Sequence, residues 1–82
     1  MKIDLPVEPG DTVYYLLESE PPRIEKGTVL GAEIDRHATR IVADFDWINF
    51  AIRADLLGVL LFLNEKDAED ALKKRREENA VS

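Results

Sequence analysis

The chain has no cysteine, so neither a disulfide nor a thiolate metal site is available, and nothing in it points to an oxidising compartment. A cytoplasmic location is the expectation. His37 is the single imidazole, and it has no second nitrogen ligand and no neighbouring nucleophile, so it reads as a surface turn residue beside Arg36. The two serines, Ser19 and Ser82, stand in a proline-flanked loop and at the end of the chain, and neither has the setting of a hydrolase nucleophile. Four glycines, at positions 10, 27, 31 and 58, are too scattered to cradle a phosphate. These absences lead to the expectation of a noncatalytic protein without cofactor or bound metal.

Long apolar runs are missing too. The longest, residues 56–63, is interrupted by Gly58 and falls far below the ~20 residues that span a bilayer. Residues 1–9 alternate charged and apolar side chains without the apolar centre of a signal peptide, so export is not expected.

What the chain does contain is enough apolar surface for one domain. Its 82 residues are 45% hydrophobic and 34% charged, a globular composition, and so short a chain leaves no room for a second core. The net charge is -6, and residues 1–35 hold most of it, with eight acids against three bases. Such a field repels phosphate backbones, which disfavours nonspecific nucleic-acid binding and makes basic protein surfaces easier partners.

The N-terminal residues 1–10 carry Pro6, Pro9 and Gly10 and read as irregular, and residues 11–63 read as a β-barrel. Residues 12–17 are rich in β-formers and follow a Gly10-Asp11 turn signal. Pro21-Pro22 makes 18–23 an extended loop, because proline cannot donate to a ladder. A second strand is expected over 24–34, with Gly27 and Gly31 marking a bend or a close backbone approach. After a turn at 35–38, residues 39–46 alternate, with Ile41, Ala43 and Phe45 on one face. Residues 47–53 alternate again, placing Ile48, Phe50 and Ile52 on one side and Trp47, Asn49, Ala51 and Arg53 on the other, with a tight turn or bulge at Asp46-Trp47. A short helical turn over 54–58, ended by Gly58, precedes a fifth strand at 59–63.

Asn64 then caps a helix over 64–78, Asp67 stands at the capping-box position, and Leu63 is placed to staple against Ala68. Acids crowd the first turn and Lys73 to Arg76 the last, as the macrodipole favours, and Glu69–Lys73 and Asp70–Lys74 have pairing distance. The apolar stripe is thin, namely Ala68, Ala71 and Leu72. The helix is therefore expected to dock through its first two turns as a cover for an open end or edge of the barrel, with Leu72 as anchor and a frayed tail at 79–82.

Strand, long loop, three strands, helical turn and final strand is an order that resembles SH3-like small barrels, and Glu25-Lys-Gly-Thr-Val-Leu-Gly31 resembles the glycine-valine core of KOW-type barrels. Over nearly its whole length the chain further resembles small uncharacterised proteins of Firmicutes genomes and their prophages. The segments that carry this likeness are Pro9-Gly-Asp-Thr-Val-Tyr-Tyr15, Gly27-Thr-Val-Leu-Gly31 and the stretch from Leu61 through Asn64 to Leu72. The resemblance implies a five-stranded SH3-like barrel with a C-terminal helix, and an accessory role in a phage or mobile element. A KOW likeness implies RNA binding as an alternative, although the chain lacks the basic loop residues of those barrels.

Two polar sets invite chemistry. Asp44 and Asp46, with Asp35 near the preceding strand end, offer oxygens for Mg²⁺ or Ca²⁺, but no calcium-loop spacing accompanies them and they read as a solvated strand face. The aromatic set is the better lead. Tyr14 and Tyr15 are adjacent and face opposite sides of one strand, while Trp47 is expected on a polar face with Asn49 and Arg53. An aromatic surface of this kind suits an extended protein segment. The expected partner surface is Tyr14, Tyr15, Trp47, Asn49 and Arg53, on a monomer or weak homodimer. An acidic mimic of nucleic acid that inhibits a host enzyme is the alternative from another class.

Overall fold

The computed structural model describes residues 7–81. Residues 1–6 and 82 lie outside the described residues, and with them most of the expected irregular start and the last residue of the expected tail. The protein is mainly β: five antiparallel strands in one sheet, a one-turn 3-10 helix and one C-terminal α-helix. In chain order these are β1 (Thr12–Leu17), β2 (Arg23–Ile34), β3 (Thr39–Asp44), β4 (Asn49–Arg53), the 3-10 turn Ala54–Leu56, β5 (Leu61–Phe62) and α1 (Glu65–Val81). The sheet order is β4-β3-β2-β1-β5.

The long strand β2 makes this topology possible. Its first half pairs with β1, from Leu17↔Arg23 to Thr12↔Thr28, and its second half pairs with β3, from Thr28↔Asp44 to Ile34↔Thr39. The register slips by one residue between Val29 and Gly31, leaving Leu30 without a partner on β3, a bulge beside the glycine where a bend is expected from sequence. Bending there lets the two halves of the sheet share one interior. Val13, Val29, Ile41, Ala43, Phe45, Ile52 and Leu61 are buried together, so all five strands or their immediate extensions feed one core.

A second cluster lies on the other face of β1. Cross-strand partners share a face, so Tyr14 and Leu16 stand with Lys26, Ile24 and Phe62. Leu16, Phe62 and Ala68 are buried there, with Tyr14, Ile24, Leu60, Ala71 and Leu72 packed around them. The expectation of a single core is thus corrected: one domain, with apolar packing on both faces of β1. α1 packs on β1, β2 and the edge strand β5, so it covers this outer face at one edge of the sheet rather than an open end.

Asn64 caps α1 as expected, its Oδ1 accepting the Asp67 N–H at 2.9 Å, while its own amide donates to the Asp67 carboxylate at 2.8 Å. Leu63, expected to staple against Ala68, is exposed while Ala68 is buried. The helix runs to Val81, past the expected end at 78, and its docking reaches a third turn, where Arg75 donates to Glu18 of the β1–β2 loop at 2.7 Å. Among the described residues the expected pairs Glu69–Lys73 and Asp70–Lys74 do not form.

The strand ends also differ from expectation. β3 stops at Asp44 and β4 begins at Asn49, because Phe45 to Ile48 build a tight loop. β5 is only two residues long, since the Val59 and Leu60 amides donate to Leu56 O and hold that segment in a turn.

Candidate partner-binding surface

The β3–β4 hairpin is closed by Phe45 N–H donating to Ile48 O at 2.9 Å, leaving Asp46 and Trp47 as the two residues of its tip. Asp46 has φ 62, in the left-handed region that aspartate tolerates better than most residues. This reversal confirms the tight turn expected at Asp46-Trp47, and it also removes Trp47 from the strand alternation. Trp47 therefore does not share a polar strand face with Asn49 and Arg53. Its ring meets Phe50 edge to face, with centroids 5.8 Å apart and planes at 86°.

Phe50 leads inward. Its ring lies 6.1 Å from Phe45 and 6.2 Å from Tyr15, and Tyr15 lies 6.1 Å from Phe45. Four aromatic rings thus form one run, with Phe45 buried, Tyr15 and Phe50 half-buried and Trp47 56% exposed. Phe45 sits where Gly27 leaves room for it: a Cβ at Gly27 would stand 2.6 Å from two of its ring carbons and 2.9 Å from Asp44 O. Here the close approach expected at Gly27 is made by a ring as well as by backbone. Next to Trp47, Ile48 adds a further exposed apolar side chain.

The five residues singled out from sequence fall in different places. Tyr15 and Trp47 belong to the aromatic run. Tyr14 lies on the opposite face of β1, where it lines a cleft of about 390 Å³ with Ile24, Lys26, Glu65, Glu69 and Leu72 beside α1. Asn49 is exposed opposite Asp44, near the hairpin tip. Arg53 is at the far end of β4, where it pairs with Asp55 at 2.6 Å. Phe45 and Phe50 read from sequence only as buried-face residues, yet Phe50 is the ring that Trp47 meets and Phe45 packs behind it. The signal available was two phenylalanines on either side of a two-residue turn.

The acids do not gather. Asp44 and Asp46 are at the tip, and Asp35 is at the other end of β3, where its Oδ1 accepts the His37 and Ala38 N–H groups and its Oδ2 accepts Arg40 at 2.7 Å. The Arg40 hydrogen bond, then the two amides, lower the Asp35 pKa from 3.8 to about 2, and the same bond raises that of Arg40. His37 occupies the turn expected for it, in this Asp35-centred loop. Among the described residues no group of three metal-ligating side chains forms, and no helix is long and apolar enough to cross a membrane.

No family model, curated protein or solved structure matches the chain.

Proposed function

We propose that the protein is a noncatalytic protein-interaction module whose partner surface is the tip of the β3–β4 hairpin, centred on Trp47. The observation that carries this reading is Trp47 itself, 56% exposed and seated edge-on against Phe50. An exposed indole backed by other rings loses little conformational entropy when a partner covers it, and tryptophan is among the residues that carry most binding energy at interfaces. Ile48 and the half-buried Tyr15 and Phe50 extend the apolar contact, and Asp44, Asp46 and Asn49 supply a polar, acidic rim. The fitting partner is an apolar segment flanked by basic residues. The proposal includes an accessory role in a mobile element and action in the cytoplasm.

Selection of peptides against the wild-type chain, followed by amide chemical-shift mapping, tests the reading. Selected peptides are expected to shift the amides of residues 45–50 and of Tyr15, and Trp47→Ala is expected to weaken them by about 2 kcal/mol or more. Shifts confined to another face, or equal binding by Trp47→Ala, would rule the surface out.

A further inference from the structure

β4 is an edge strand, and the alternation of its ladder fixes which of its backbone groups are open. Phe45 N–H donates to Ile48 O and closes the hairpin, so Ala43↔Phe50 and Ile41↔Ile52 are the next hydrogen-bonded pairs. Asn49, Ala51 and Arg53 stand in the pairs between, and their N–H and C=O groups point away from β3. Among the described residues none of these groups takes part in a backbone hydrogen bond. Natural edges are commonly blunted by lysine, proline, a bulge or a covering element. Asn49-Phe-Ala-Ile-Arg53 has no lysine and no proline, its register with β3 runs without a slip, and α1 packs on other strands. The open edge is continuous with the exposed Trp47 and Ile48.

Charge decides what such an edge accepts. Arg40 and Arg53 already have carboxylates, Asp35 at 2.7 Å and Asp55 at 2.6 Å, and Glu33 also acts on Arg40, so the hairpin end away from the tip is not basic. At the tip, Asp44 and Asp46 are exposed and have no cation among the described residues. The field along β4 is therefore negative, and it is concentrated beside Asn49, the partner of Asp44. A second copy of a chain with net charge -6 would bring more acid to this edge, whereas a cationic segment is drawn to it.

Taking the hairpin tip as the partner surface, as proposed above and as this step requires, we infer that the partner binds by adding a strand to β4. The added strand is an apolar, basic protein segment. It runs antiparallel, as every other strand pair of the sheet does, with its basic residues at its C-terminal end. Its hydrogen bonds are to Asn49, Ala51 and Arg53, and its side chains alternate accordingly. A lysine or arginine opposite Asn49 reaches across it to Asp44, and the residue opposite Ala51 is small or β-branched. Residues opposite Phe50 and Ile52 lie on the inner face and are apolar. Beyond the start of β4 the segment passes Ile48 and Trp47, where a second basic residue faces Asp46.

The probe is the acetylated, amidated peptide Thr-Val-Thr-Val-Lys-Leu-Lys, whose second threonine stands opposite Ala51 and first lysine opposite Asn49. In NMR titration of the full chain it is expected to shift the amides of residues 45–53 and to slow hydrogen exchange at Asn49, Ala51 and Arg53. N-methylation of the second threonine, whose N–H faces β4, is expected to weaken binding at least about tenfold. N-methylation of the second valine, whose N–H faces solvent, is expected to change it by less than about threefold. Asp44→Asn is expected to weaken binding about two- to fivefold. Equal binding by the two methylated peptides, with residues 45–50 still shifted, would overturn strand addition and leave the indole surface standing. No binding by the unmodified peptide up to about 2 mM would also overturn strand addition, and shifts confined to another face would overturn both.

Discussion

A side chain at Gly27 has no space, because Phe45 ring carbons and Asp44 O already occupy it. Gly27→Ala is therefore expected to push Phe45 out of place and cost about 1 to 3 kcal/mol in urea unfolding, even though alanine is otherwise the better strand residue. At the tip, Asp46 holds φ 62. Asp46→Val is expected to lose about 1 kcal/mol or more, since a β-branched residue resists that conformation, whereas Asp46→Gly is expected to hold or gain stability. The exposed Asp35 gives a pH signature. Its carboxyl ionises more readily in the folded chain, with a pKa of about 2 against 3.8, so its contribution is complete above about pH 4 and is lost as pH falls toward 2. Acid titration of stability for Asp35→Asn is expected to lack that loss while leaving the profile above pH 5 parallel to wild type. None of these three contacts needed the structure to name its residue. What the sequence left open was the neighbour: Gly27 was legible as a tight place, but nothing along the chain says that Phe45 fills it.

Elements were legible where alternation is strict and turn signals are strong. β1 falls at 12–17 as expected, and the 3-10 turn and the Asn64 cap stand where their residues put them. Alternation misleads where a strand runs into its turn. Trp47 was read as continuing the period of β4, and the two-residue reversal at Asp46 takes it out of that period and onto Phe50. The helix shows the same limit from the other side. A thin apolar stripe implies docking, but not which sheet face receives it, nor that Arg75 ties the third turn to Glu18. Leu72 is half-buried over a cleft rather than fully enclosed, so Leu72→Ala is expected to cost about 1 to 2 kcal/mol, less than a fully buried leucine would. Glu18→Ala, which breaks an exposed pair, is expected to cost less than about 1 kcal/mol. Thermal unfolding of the two variants separates a helix held by apolar contact from one held by charge.

For the whole molecule, the two-faced packing of β1 explains why the proposed binding surface is where it is. α1 covers the outer face of β1 and β2, and with it Tyr14, so the aromatic side chains left for a partner are those at the rim of the inner core. There the run from Phe45 through Phe50 reaches solvent at Trp47. A partner surface at the tip requires that indole to be open in the folded chain, and because Trp47 is the single tryptophan its fluorescence reports on this position alone. The most direct measurement is tryptophan emission and acrylamide quenching of the native protein, compared with the urea-unfolded chain. A red-shifted native emission that quenches nearly as readily as the unfolded one is expected. A blue-shifted emission resistant to quencher in a folded monomer would contradict it, because Trp47 would then be part of the core rather than a surface held out for a partner.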